Sequence, residues 1–384
     1  MDLQLSQEQE MIRDLVREVA QSEFAPRAHE IDETSRFPTE NFRRLAELGL
    51  MGLPWPQEYG GAGGDTVSLT LAIEEIAKAD GSTALSYAAH ISLASGPIFY
   101  FGTEQQKQRY LLPLAKGEWL GAFGLTEPHA GSDAAAARTT AVLDGYQWVV
   151  NGRKAWITNG SIADVVVIAA RTEAEGDGLS NFIIEKGTPG FIAGKDEPKM
   201  GLRGSVTSEL IFEDCRIPAE NLLGVRGHGL QQFLQVLDAG RIGIGAMALG
   251  LGEAALEAAI GYAQARSAFG RPIGDYQAIQ WMIANAATEL EAARLMIWEA
   301  ASLKDRGTPF TKEAAMAKLF ASEAAERACR DAIQIFGGYG YSREFPVERY
   351  YRDNRLTTIG EGTSEIQRLV IAREILGLAH IVES

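Results

Sequence analysis

Residues 142–152 read VLDGYQWVVNG. Val142 and Leu143 run into Asp144-Gly145, and residues 146–150 run into Asn151-Gly152. Both dipeptides are of the kind that closes a hairpin. Downstream, Val165, Val166, Val167 and Ile168 form a β-branched run. Residues 182–184, 191–192 and 210–212 are further short apolar runs, set apart by Gly, Pro and Asp. Short strands with turns at this spacing predict a small antiparallel β domain over about 121–230.

The flanks change period. In 1–120, Ser6 with Gln9 three residues on forms a capping box. Met11, Ile12, Leu15, Val16 and Val19 then share one helical face. A second helix is expected near Thr39, carrying Phe42, Leu45 and Leu48. Residues 54–65 (PWPQEYGGAGGD) read as a loop, and 67–79 again as helix. In 231–384, residues 276–303 contain neither Gly nor Pro, and Gly307 and Pro309 follow as stop signals. A further helix is expected over 311–336. The small residues of 243–259 (GIGAMALGLGEAALEAA) allow close helix approach.

The 384 residues suggest two or three domains, and 46% hydrophobic with 23% charged residues is an ordinary globular balance. A net charge of −15 lacks the field for general nucleic-acid or anionic-membrane binding, though a local basic pocket stays open. Two cysteines, Cys215 and Cys329, exclude a disulfide framework and a multi-Cys zinc site; two reduced buried thiols are expected. No run reaches the ~18 apolar residues of a membrane span. The start, MDLQ, has no leader character, so a cytoplasmic protein is expected, with a processed mitochondrial form left open.

Several motifs fail on context. Gly243, Gly245 and Ala248 match a dinucleotide fingerprint in letters, but the stretch before them reads as helix rather than strand. There is no P-loop and no G-x-S-x-G. His29, His90, His129, His228 and His380 are scattered, so no metal site is expected.

Two constellations remain. Residues 123–133, FGLTEPHAGSD, sit where helix gives way to strand. Thr126, Ser132 and the amides around Gly131 could donate to a phosphate or a polar ring edge, or the stretch could be a turn-rich linker. Trp156 and Thr158 beyond it could stack on and bond a planar cofactor, or Trp156 could be core. Residues 334–368 hold Gly337, Gly338 and Gly340, and then Glu361 between Gly360 and Gly362. A carboxylate on a glycine-flanked turn can be aimed into a pocket, and it can equally be a favourable charge at a helix start.

Together with 156–158 (WIT), 266–272 (RSAFGRP) and 334–338 (QIFGG), these stretches resemble the acyl-CoA dehydrogenase family, in order and over essentially the whole chain. The resemblance implies an α+β fold, mainly α. It would have an N-terminal helical domain (1–120), a middle antiparallel, barrel-like β domain (121–230) and a C-terminal four-helix-bundle-like domain (231–384). It implies FAD as cofactor, held by Phe123, Leu125, Thr126, Gly131, Ser132, Trp156, Ile157, Thr158, Arg266, Phe269, Gln277, Gln334, Ile335, Gly337, Gly338, Thr363 and Glu365, partly across a subunit boundary. Ser132, Asp238, Arg241 and Gly362 would contact the acyl-CoA. A homotetramer and an electron-transfer flavoprotein as electron acceptor are implied as well.

The resemblance also implies that Glu361 is the general base. It would take the proton next to the thioester carbonyl while a hydride passes from the next carbon to FAD, leaving a trans-2-enoyl-CoA. The Glu361 backbone N–H and a flavin ribityl hydroxyl would receive the developing charge on the thioester oxygen. Some family branches carry the base at the position of Gly240, which has no side chain to serve. Gly360 stands where straight-chain members often have tyrosine, which leaves room for a branched or cyclic acyl group unless a neighbour fills it. Acyl-CoA oxidases or flavin monooxygenases on the same scaffold, and a non-catalytic acyl-CoA-binding protein, are the alternatives; the retained Glu361 speaks against the last two.

Overall fold

A computed structural model of the chain describes residues 4–172 and 178–378; Met1 to Leu3 and His380 lie outside them. The N-terminal helices are α1 (Gln7–Val19), α2 (Ala25–Thr34), α3 (Thr39–Glu47), α4 (Thr66–Ala79), α5 (Gly81–Ala88), α6 (Gly96–Phe101), α7 (Glu104–Gln106) and α8 (Leu112–Ala115). The capping box forms: the Gln9 amide donates to Ser6 Oγ at 3.2 Å, and the Ser6 amide donates to Gln9 Oε1 at 2.9 Å. A π-helical turn, Ala89–Ser95, joins α5 to α6 and presents Leu93 toward the third layer.

The middle layer is one eight-stranded sheet of β1 (Gly121–Gly124), β2 (Thr140–Asp144), β3 (Gln147–Thr158), β4 (Val165–Arg171), β5 (Leu179–Glu185), β6 (Phe191–Asp196), β7 (Thr207–Pro218) and β8 (Leu222–Leu223). Its hydrogen-bonded path, among the described residues, runs β6-β7-β3-β2-β4-β5-β8. The pairing is antiparallel as expected except along β4: β1 runs parallel to the first half of β4, and Thr140 of β2 pairs in parallel with Arg171 at its end. One edge of β4 is thus shared by two short strands, while β5 covers the other edge antiparallel. One expectation is corrected here: Asp144-Gly145 does turn a hairpin, with Asp144 opposite Gln147, but Asn151-Gly152 does not. There β3 runs on to Thr158, with a register shift against β7 between Val150 and Gly152. The Asn151 side chain accepts from the Asp214 amide at 2.8 Å, so strand pairing overrides the local turn preference.

The C-terminal layer holds α9 (Gly229–Ala265), then a short hairpin of β9 (Ser267–Ala268) and β10 (Arg271–Pro272). Beyond it come α10 (Gln277–Asp305), α11 (Thr311–Phe336), α12 (Val347–Asn354) and α13 (Ser364–Leu376). Three long helices pack with the shorter α13, and α4 of the first layer packs on α9 and α10. Gly252 shows what the small residues of α9 are for: a β-carbon there would lie 2.7 Å from Leu290 Cδ2 and 3.0 Å from Ala325 Cβ. The fingerprint-like Gly243, Gly245 and Ala248 are buried packing positions inside this helix. Among the described residues α9 alone is long and apolar enough to cross a membrane, and its most apolar window is 78% buried within the protein. Cys215 and Cys329 are free and buried, one in the sheet core and one on α11.

Candidate active site

Between α12 and α13 the chain makes a tight turn. Glu361 has φ 52° and Gly362 φ 93°, both left-handed. A side chain at Gly362 would strike Gln367 Nε2, 2.6 Å from an ideal β-carbon, so glycine is needed there on two counts. Gln367 Nε2 donates to the carbonyl oxygens of Glu361 and Gly362 at 3.2 and 2.9 Å. Thr363 caps α13 by accepting from the Ile366 amide at 3.3 Å.

This turn aims the Glu361 side chain inward. The residue is half-buried, but its Oε2 is shut off from solvent and has no hydrogen-bond partner among the described residues. Burial pushes the carboxyl up to about 7, against the opposing pull of the Lys318 and Arg241 charges. Gly240 on α9 lies directly against this carboxylate. Arg241 beside it is buried and paired with Asp238 at 2.5 Å, and Asp238 also accepts from Thr311 Oγ1 at 2.6 Å. That pairing leaves Arg241 little net field with which to draw in an anion from a distance. The Arg241 Nε, Ser364 Oγ and Gln367 Oε1 atoms are also buried without partners, so unmatched polar atoms gather around this turn.

The 123–133 stretch reaches the same region. Phe123 packs on Phe233 of α9, with ring centroids 4.2 Å apart, and joins Leu93, Val236 and Leu237 in one apolar cluster. Leu93 Cδ2 lies 3.1 Å from where a Gly240 β-carbon would be. A buried ion pair anchors the loop: Lys154 Nζ is 2.7 Å from Glu127 Oε1 and donates to the Leu125 carbonyl at 3.1 Å. Glu127 also accepts from the amides of Arg138 and Thr139. Burial pushes the Glu127 carboxyl up, but the Lys154 charge and these donors outweigh it and hold the group at about 2. Leu125 and Ile157 are buried, Thr126 and Thr158 half-buried, and Gly131 and Ser132 exposed. Trp156 is not core. At a bulge in β3 with φ 62°, it turns its indole outward, 63% exposed.

The remaining candidates lie elsewhere. Arg266, Ile335, Gly337 and Gly338 line a cleft of about 540 Å3 with Tyr262 and Tyr339, and Glu361 is not on its wall. Phe269, at the tip of the β9–β10 hairpin, is 97% exposed; Gln277 at the start of α10 and Gln334 near the end of α11 are exposed as well. At the rise of an α-helix, the 25 residues of α9 from Arg241 to Arg266 span roughly 38 Å. Within one chain the structure therefore gathers Phe123, Asp238, Arg241, Glu361, Gly362 and Thr363, and sets the Arg266 and Gln334 groups apart. Glu365 is exposed in the first turn of α13. Four residues that sequence reasoning passed over, Glu127, Lys154, Lys318 and Gln367, prove to support the site. Among the described residues no group of His, Cys, Asp or Glu is placed to hold a metal ion.

A helical layer, a sheet and a helical bundle thus meet around the Glu361 turn, and the relatives that share this arrangement are named as acyl-CoA dehydrogenases, which are flavin oxidoreductases. The chain belongs to the acyl-CoA dehydrogenase family. The family's N-terminal, middle and C-terminal domain models match residues 6–118, 122–215 and 227–376. The short-chain-specific acyl-CoA dehydrogenase of Clostridium acetobutylicum is 50% identical over 377 residues, covering 98% of this chain and 100% of the relative. The butyryl-CoA dehydrogenase of Megasphaera elsdenii superposes with a TM-score of 0.96 at 43% identity, over 98% of this chain and 100% of that one. A chain from the structure of the electron transferring flavoprotein of Acidaminococcus fermentans matches with a TM-score of 0.96 at 48% identity and the same coverage. Family members are FAD-dependent.

Proposed function

We propose that the chain oxidises a short acyl-CoA to its trans-2-enoyl-CoA, with Glu361 as the base. The observation that carries this is the Glu361 carboxylate: desolvated, unpartnered at Oε2 and titrating at about 7, where a base can both be ionised and hold a proton. Glu361 takes the proton from the carbon next to the thioester carbonyl, and its own backbone N–H receives the charge that develops on the thioester oxygen. The apolar cluster around Leu93 and Phe123 excludes water from the acyl chain. Ser132, Asp238, Arg241 and Gly362 contact the thioester and CoA.

The residues present suit a flat, phosphate-bearing cofactor. Trp156 offers an exposed ring face, and Gly131, Gly337 and Gly338 have open space where side chains would stand. FAD, when bound, accepts the hydride that leaves the adjacent carbon. Phe123, Leu125, Thr126, Gly131, Ser132, Trp156, Ile157 and Thr158, with Thr363 and Glu365, hold it from one subunit. Arg266, Phe269, Gln277, Gln334, Ile335, Gly337 and Gly338 hold it from a second. The separation along α9 and the bare Phe269 ring support this division and with it a second subunit at each site, as in the homotetramer that the family resemblance implies. Electrons then pass to an electron-transfer flavoprotein, a partner suggested by the match to the Acidaminococcus structure.

Anaerobic mixing of flavin-loaded protein with butyryl-CoA tests the reading. Glu361→Gln is expected to keep its flavin and slow bleaching by about 10²–10⁴-fold. Bleaching at the native rate would overturn it.

A further inference from the structure

The buried stripe of α11 consists almost wholly of small apolar residues, Ala314, Ala317, Ala321 and Ala325 among them. Lys318 stands in the middle of it, 0% exposed. An ammonium group is kept out of water only where something compensates it. Its Nζ donates to the Gly362 carbonyl at 2.6 Å, the same oxygen that Gln367 Nε2 approaches at 2.9 Å. Two donors, one from α11 and one from α13, thus clamp the Gly362–Thr363 peptide, one residue beyond Glu361. A carbonyl needs no charged donor, and Gln367 already supplies a neutral one. What lysine adds is a positive charge on the turn that carries the Glu361 carboxylate, whose Oε2 has no hydrogen-bond partner among the described residues.

We propose that Lys318 is a positioning residue for Glu361: its Nζ fixes the left-handed turn through the Gly362 carbonyl, and its charge keeps the carboxylate ionised in a dry site. This rests on the reading of Glu361 as the base. The charged groups facing Lys318 come from three directions: Glu361 on the turn, Arg241 on α9 and Glu365 on α13. Burial draws the ammonium down to about 8, Glu361 and Glu365 resist, and Arg241 adds to the fall. The charge of each therefore bears on the ionisation of the other. A plain carbonyl clamp would leave the titration of Glu361 untouched when the charge is removed; a charge partner would not.

The test is read on the resting, flavin-loaded protein. The Glu361 carboxyl is titrated by infrared difference spectroscopy and assigned as the band lost in Glu361→Gln. The native midpoint is expected at about 7. In Lys318→Met and Lys318→Gln it moves up by about one unit or more, and the acid limb of kcat/KM moves with it, so that turnover below the limb falls about tenfold further. Lys318→Arg, which keeps the charge, stays near the native midpoint. An unchanged midpoint in a folded neutral variant overturns the proposal. If neither neutral variant folds, the Nζ resonance of Lys318 in the native protein decides: a nitrogen that does not respond when Glu361 ionises overturns it equally. Native-rate turnover by Glu361→Gln would instead defeat the assignment of the base, while the Lys318 coupling is read separately.

Discussion

Gly240 and Glu361 compete for one space: a β-carbon on the glycine would run into Oε2 of the glutamate and come within 3.1 Å of Leu93 Cδ2. The absence of a side chain on α9 is what lets the carboxylate point inward. Gly240→Ala is expected to lower stability by about 1–3 kcal/mol, the usual cost of overfilling a packed site. It should cut turnover far more than it cuts flavin content, because the displaced atom is the one proposed to take the proton. Thermal unfolding, flavin absorbance and kcat on one preparation check all three.

Activity should follow the ionisation of Glu361. With its carboxyl at about 7, kcat/KM is expected to fall about tenfold per pH unit on the acid side and to level off above. The same shift has a cost for the fold. The group titrates higher in the folded chain than the ordinary 4.5, so its favourable contribution is complete below about 4.5 and is lost as pH rises through about 7. Melting temperatures of the native protein and Glu361→Gln, compared from pH 5 to 8, should diverge with rising pH in favour of the variant.

The Lys154–Glu127 pair pins the loop at 123–133. Lys154→Met leaves a buried carboxylate without its counter-charge and is expected to cost about 3–5 kcal/mol. The folded fraction should lose flavin more readily, since Lys154 holds both the Leu125 carbonyl and Glu127, on either side of Thr126. Glu127 titrates at about 2, below its usual range, so its contribution is present above about 4.5 and vanishes as pH falls toward 2. Denaturant melts of both proteins at pH 7 and pH 3 check this: the gap between them should narrow at the lower pH.

The nearest neighbours of an ideal β-carbon at Gly360 are Leu356 atoms, from 3.5 Å outward, which is ordinary contact. A large side chain is therefore absent without being sterically forbidden at its root. The native chain is expected to accept a branched acyl-CoA at a rate comparable to a straight one of equal carbon number, and Gly360→Tyr to slow the branched substrate several-fold more than the straight one. A strong native preference for the straight chain would remove this idea.

The alternation of helix, strand and helix was legible because its two periods differ over long stretches, and the caps and stop signals fell close to the observed ends of α1, α3 and α11. What stayed hidden was set by distant contacts. Asn151-Gly152 has the letters of a turn, yet Asn151 bonds Asp214 across the sheet and the strand runs on. The parallel pairing of β1 with β4 depends on the path of the chain and leaves no local pattern. The π-helical turn that sets Leu93 has no composition of its own. In the site, Glu361 could be singled out only through resemblance, since its letters also fit a charge at a helix start; the dry carboxylate is a tertiary fact. Lys318 was readable in principle, as one cation at helical spacing among alanines, but such a residue is ordinarily taken for solvent-facing.

Glu361 holds a backbone shape that side-chain-bearing residues adopt at an expense of roughly 1–2 kcal/mol. The molecule thus stores tension at the very residue proposed to do its chemistry, and a glycine there would release it. Selection for heat endurance alone, blind to catalysis, would drift toward sturdier and inert descendants; a programme to harden this protein must leave that one peptide ill at ease.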